Sequence, residues 1–62
     1  MTKKKTTEVR RDEIISASLR LIEKNGLDNL SVADIAAEIN LVPSAIYRHF
    51  GGKEEIINVL ID

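Results

Sequence analysis

The sequence predicts an all-α fold, with three helices and the start of a fourth around one small core. Two observations carry that prediction. Apolar residues recur at three- and four-residue spacing, and no stretch alternates as a strand would. Helix-stop and helix-start signals follow one another at "KNGL", "LSVADI", "NLVP" and "GGKEE". The 62 residues include no Cys, so no disulfide or thiolate metal site can brace the domain. A chain this short buries only about 60% of its unfolded surface, which leaves close helix packing or a partner to stabilise it.

Residues 1–6 are polar and Lys-rich, and read as a disordered basic arm. The first helix is expected over residues 7–25, with Thr7 as its N-cap. Ile15, Ser18, Leu19 and Ile22 follow the i, i+3, i+4, i+7 rule, and Ile14 and Leu21 widen the stripe. Gly26 is the expected positive-φ stop, with Leu27 folding back over Ile22. The second helix is expected over 32–39. Ser31 is its N-cap, Asp34 stands at N3 in a short-armed capping box, and Leu30 and Ile35 form a hydrophobic staple. Val32, Ile35, Ala36 and Ile39 give it one apolar face. Asn40 should end it, because Asn tolerates the left-handed conformation.

Only Leu41 and Val42 separate Asn40 from Pro43, which suits the first position of a third helix. That helix is expected over 43–50, with Ile46 and Phe50 turned inward. Gly51 and Gly52 stop it. A fourth helix then begins at Lys53, with Gly52 as a permissive N-cap and Glu54 and Glu55 in the turn where acids suit the dipole. The expected core is therefore Ile15, Leu19, Ile22, Ile35, Ala36, Ile39, Ile46 and Phe50. Residues 53–62 are apolar to their end and carry no stop signal, so the helix is expected to lead into a further domain absent from these 62 residues.

Two short helices joined by a turn of three or four residues form a helix-turn-helix unit, whose second helix enters the DNA major groove. With the first helix as floor, this is a three-helix helix-turn-helix domain of the homeodomain-like kind. The chemistry agrees. The formal net charge is −1, yet no acid occurs from Ile39 to Lys53. The only Pro, Tyr, His and Phe all fall between Pro43 and Phe50. Ser44 and Ala45 are small enough for base edges to approach, and a methyl can meet a thymine methyl. Free N–H groups at the helix start favour phosphate. Tyr47 offers a ring for sugar and a hydroxyl for phosphate. Arg48 can serve guanine or phosphate, and His49 and Lys53 phosphate. Phe50 reads as core rather than contact.

Further residues sharpen this. In "LSVADIAAEINLVPSAIYRHFGGKEEII", preceded by "AS...LIEKNG", the residues Ser31, Asp34, Ile35, Ala36, Tyr47, His49, Phe50, Lys53 and Glu54 stand at matching positions of a known pattern. The stretch from about residue 10 to 60 resembles the tetracycline-repressor (TetR) family of bacterial transcriptional regulators, and "IYRHFGGKEE" is its most specific part. A cytoplasmic protein is the default expectation, since no apolar span or leader-like run occurs. The resemblance implies a transcriptional regulator, a ligand-responsive repressor at full length. It implies one half of a homodimer on a palindromic double-stranded DNA operator. It also implies a C-terminal helical domain that dimerises and binds a small-molecule effector. For the 62 residues alone, a monomer is the open alternative. Residue chemistry and resemblance together give the expected DNA contacts as Ser31, Val42, Pro43, Ser44, Ala45, Tyr47, Arg48, His49 and Lys53. The pattern is broken in places. Asn40 replaces the usual turn Gly, Val42 the usual capping Ser, Pro43 a frequent cation, and Ser44 a frequent Gly.

Other classes are less favoured. A small helical protein-interaction module, docking through the fourth helix or through Leu41 and Val42, is the alternative. Lys3, Lys4 and Lys5 read as a solvated tail, with a minor-groove arm as the competing reading. An enzyme is not expected, since no nucleophile–His pair, paired-carboxylate cleft, Gly-rich phosphate loop or metal cluster is present. No cofactor is expected, and a single His cannot build a metal site. No apolar run approaches the roughly 20 residues of a membrane span, so no membrane partner is expected.

Overall fold

The computed structural model describes residues 7–61. Four α-helices follow in order: α1 (Thr7–Asn25), α2 (Val32–Glu38), α3 (Pro43–Tyr47) and α4 (Lys53–Ile61). A 3-10 turn at Leu27–Asn29 links α1 to α2. No strand occurs among the described residues, and none of their helices is long and apolar enough to cross a membrane. The long α1 is the floor. The 3-10 turn, α2 and α4 pack on it, and α3 packs on α2. Residues 1–6, with Lys3, Lys4 and Lys5, lie outside the described residues.

The core is Ile14, Ala17, Leu21, Leu30, Val32, Ile35, Ala36, Ile46, Phe50 and Ile56. The buried face of α1 is not the one its larger apolar residues suggest. Leu19, expected in the core, is 52% exposed, and Ile15 and Ile22 are only partly buried at its edge. The central stripe is instead Ile14, Ala17, Ser18 and Leu21, one residue earlier on the same helical period. The physical reason lies in size. Ala17 and Ser18 are small and fully buried, so α1 can come close to the bulky Phe50, Ile35 and Ile46. The Ser18 hydroxyl donates to the Ile14 carbonyl at 2.8 Å, which removes most of the penalty of burying it. Ile39 also sits at the edge of the core rather than inside it.

Local signals account for most helix ends. At Gly26 (φ 93°) the amide donates to the Ile22 carbonyl at 2.8 Å and closes α1. Leu27, expected to pack over Ile22, is 47% exposed. The chain turns through the 3-10 segment, and Leu30 (3% exposed) takes the buried place. Asn29 supports the turn, its Nδ2 donating to the Asn25 carbonyl at 2.7 Å. Ser31 caps α2, its Oγ accepting the Asp34 amide at 3.1 Å. Arg20 and Glu38 then tie α1 to α2 by an exposed ion pair at 3.1 Å, a contact of about 1 kcal/mol or less.

Candidate nucleic-acid interface

The turn between α2 and α3 is built by backbone hydrogen bonds. Asn40 adopts φ 62°, the only positive φ at a non-glycine among the described residues. Its amide donates to the Ala37 carbonyl at 3.2 Å, and the Leu41 amide to the Ala36 carbonyl at 2.7 Å. That pair of bonds is a Schellman stop. It reverses the chain within two residues and delivers Val42 as the N-cap of α3. Val42 makes no side-chain cap, and Pro43 supplies the preset φ of the first helical position instead.

The third helix is shorter than its sequence suggests. The regular helix ends at Tyr47; Arg48 and His49 form a turn and Phe50 follows it, so three of the expected residues 43–50 lie outside the helix. The reason is the hydrogen-bond pattern. The His49 amide bonds the Ile46 carbonyl at 2.9 Å in a tight turn, the Phe50 amide makes the last i→i−4 bond to the same acceptor at 3.0 Å, and the next amide, Gly51, goes to the Glu55 carboxylate instead.

The segment from Pro43 to Phe50 divides into three strips. Ile46 (0% exposed) and Phe50 (2%) anchor it to the body. Pro43, Ser44, Tyr47 and Arg48 are exposed, and their spacing puts them on one face. Ala45 and His49, four apart, lie half-buried along the boundary. The Tyr47 ring leans over the next turn, where a Cβ placed on Gly52 would lie 4.0 Å from its Cε1. Lys53 is half-buried at the first position of α4. Gly52 is the N-cap there, with its carbonyl accepting the Ile56 amide at 3.2 Å. Glu55 reaches back to accept the Gly51 amide at 2.6 Å.

Charge follows the same division. Among the described residues, no hydrogen bond or ion pair engages the Tyr47, Arg48, His49 or Lys53 side chains. These groups are left available in a window without acids. Ser31, at the start of α2, already accepts a backbone bond through Oγ, so only its hydroxyl proton is left to donate to a phosphate. The start of α3 is a poorer anion site than expected. Pro43 has no N–H, and the Ala45 amide is committed to the Val42 carbonyl at 2.9 Å. Val42 itself is 60% exposed and can offer only apolar contact.

One residue of this region carries no signal in the local sequence. Arg11, on α1, donates from Nη1 to the His49 carbonyl at 2.7 Å, and its Cζ lies 4.3 Å from the centre of the Phe50 ring. Nothing in the local sequence marks it, because its partners are far along the chain.

Comparison with known proteins adds to this geometry. Residues 14–60 match the family model described as bacterial regulatory proteins, tetR family. The chain is similar to the HTH-type transcriptional regulator BetI of Brucella canis, at 37% identity over 57 residues, 92% of this chain and 29% of that protein. It is similar to the HTH-type transcriptional repressor DrrR1 of Streptomyces coeruleorubidus, at 29% identity over 82% of this chain and 19% of that protein. Among solved structures it resembles the fatty acid degradation regulator FadR from Bacillus halodurans. That match has a TM-score of 0.74 and 31% identity, over 87% of this chain and 28% of the other. The chain thus spans less than a third of the length of these relatives.

Proposed function

The chain belongs to the tetR family of bacterial regulatory proteins, a family of DNA-binding transcriptional regulators and not of enzymes, and from that premise we propose how it meets DNA. The α3 helix lies in the major groove of double-stranded DNA, with α2 across the backbone. Ser44, Ala45 and Arg48 face base edges. Val42 and Pro43 touch sugar or thymine methyl groups. Tyr47, His49 and Lys53 hold phosphates on one side of the groove, and the Ser31 hydroxyl donates to one at the start of α2.

The observation that carries this reading is the division of the segment from Pro43 to Phe50. Ile46 and Phe50 are buried, while Tyr47 and Arg48 beside them are exposed and unpaired among the described residues. A merely structural helix of five residues would not need that cluster of donors in a stretch without acids.

In its full-length form the protein acts in the cytoplasm as a homodimer on a palindromic operator. Half-sites would lie about one helical turn apart. A C-terminal domain binds a small effector that releases the operator. Repression is favoured over activation, since the Streptomyces relative is named a repressor. The test is selection of bound duplexes from a random pool, followed by gel shift at low salt. Recovery of a palindrome supports the reading. Absence of binding to every duplex would favour a protein-interaction module instead.

A further inference from the structure

We propose that Arg11 is the positioning residue of the DNA-contacting corner: it clamps the turn after α3 to the floor helix and so sets where Tyr47, Arg48 and His49 stand. The inference rests on the DNA-binding reading above, but its first measurement does not need DNA.

Two contacts on different atoms carry it. The Nη1 donates to the His49 carbonyl at 2.7 Å, and the planar guanidinium lies over the Phe50 ring at 4.3 Å. The first is a charge-assisted hydrogen bond to a carbonyl just past the end of a helix, where cations are favoured. The second is a cation–π contact. Together they hold one residue from the exposed strip's border and one from the core with a single rigid group. Arg10, its neighbour, is engaged with Glu13 at 2.9 Å. Arg11 has no carboxylate partner among the described residues, so its position follows from the turn and the ring.

The clamp matters because α3 cannot hold itself. Five helical residues are far below the length at which a helix is stable alone. Its start lacks a side-chain cap, and its last turn bonds only through the shared Ile46 carbonyl. Core packing at Ile46 and Phe50 fixes the helix axis, but the Arg48–His49 turn is exposed or half-buried. Arg11 supplies the missing restraint there. A Lys at this place could not do the same, since a point ammonium cannot donate to the carbonyl and lie flat on the ring together.

The test compares the native chain with Arg11→Met, which keeps an apolar stem against Phe50, and Arg11→Lys, which keeps the charge. Amide hydrogen exchange is followed in the free protein. Affinity is measured for a duplex selected from a random pool and for a scrambled duplex. For Arg11→Met, exchange at the His49 and Phe50 amides should rise about tenfold or more, with α1 and α2 unchanged. Affinity for the selected duplex should fall about tenfold, and that for the scrambled duplex should hold. Faster exchange throughout, with both affinities falling together, would make Arg11 a general stabiliser and overturn the proposal. Unchanged exchange with both affinities lowered, and a salt slope smaller by about one, would make it a phosphate contact and also overturn it. If Arg11→Met does not fold, Arg11→Lys decides: a local rise supports the clamp and unchanged exchange rejects it. If the native chain binds no duplex, the DNA reading fails, while the exchange result still settles the clamp.

Discussion

The Arg11 side chain bonds the His49 carbonyl at 2.7 Å although the two residues stand 38 apart in the chain. This contact joins the floor helix directly to the border of the proposed DNA-binding surface. It also passes through the core, because the same guanidinium covers the Phe50 ring. The domain therefore does not simply carry α3 on α2. The turn after α3 is tied back to α1, so a change in α1 is expected to reach the proposed surface without touching DNA.

Tyr47 tests the surface itself. Its ring is 55% exposed and belongs to no buried cluster. Replacing it by Ala should leave the melting temperature within a few degrees. Loss of one hydroxyl contact to a charged phosphate is worth about 1.5–3 kcal/mol, so affinity in a gel shift should fall about tenfold to a hundredfold. Parallel loss of melting temperature and affinity would move the ring into the core.

The register of α1 makes a second prediction. Leu19 is 52% exposed and Ala17 fully buried. In urea unfolding, Leu19→Gln should change stability by no more than about 0.5 kcal/mol. Ala17→Leu should cost about 1–3 kcal/mol by overpacking against the facing helices. The opposite ranking would restore the stripe through Leu19.

Asn40 carries the turn between α2 and α3 at φ 62°. Asn40→Gly keeps that conformation available and should be close to neutral. Asn40→Val places a branched side chain where the left-handed backbone costs about 1–2 kcal/mol. Chemical denaturation of the two variants checks the difference, and equal effects would show that the turn can relax.

Val42 is an N-cap with no capping atom. Val42→Ser should stabilise the domain by about 1 kcal/mol. For a domain of this size that raises the melting temperature by about 4–8 °C. Calorimetry reads it directly, and an unaltered transition would mean that Pro43 alone already sets the start of α3.

Much of this molecule was legible in short range. Ser31 with Asp34, Asn40 with Leu41, Pro43 after Val42 and Gly52 before Glu54 each mark a helix end by interactions within about five residues, and the helices start or stop there. The stop at Gly26 was legible too, but the path after it was not. Leu30 was legible as a staple residue before α2, but Leu27 also reads as packed, and the 3-10 turn leaves it exposed.

The sequence by itself determined that the chain is helical, where its four helices begin, and that the acid-free run from Ile39 to Lys53 is its unusual surface, because these follow from local backbone chemistry and composition. Tertiary structure alone decided two things. It chose Ala17 and Ser18 over Leu19 for the buried face, since close helix approach favours small side chains that periodicity cannot weigh. It brought Arg11 to His49 and Phe50, a contact across the whole domain that no spacing in the chain announces.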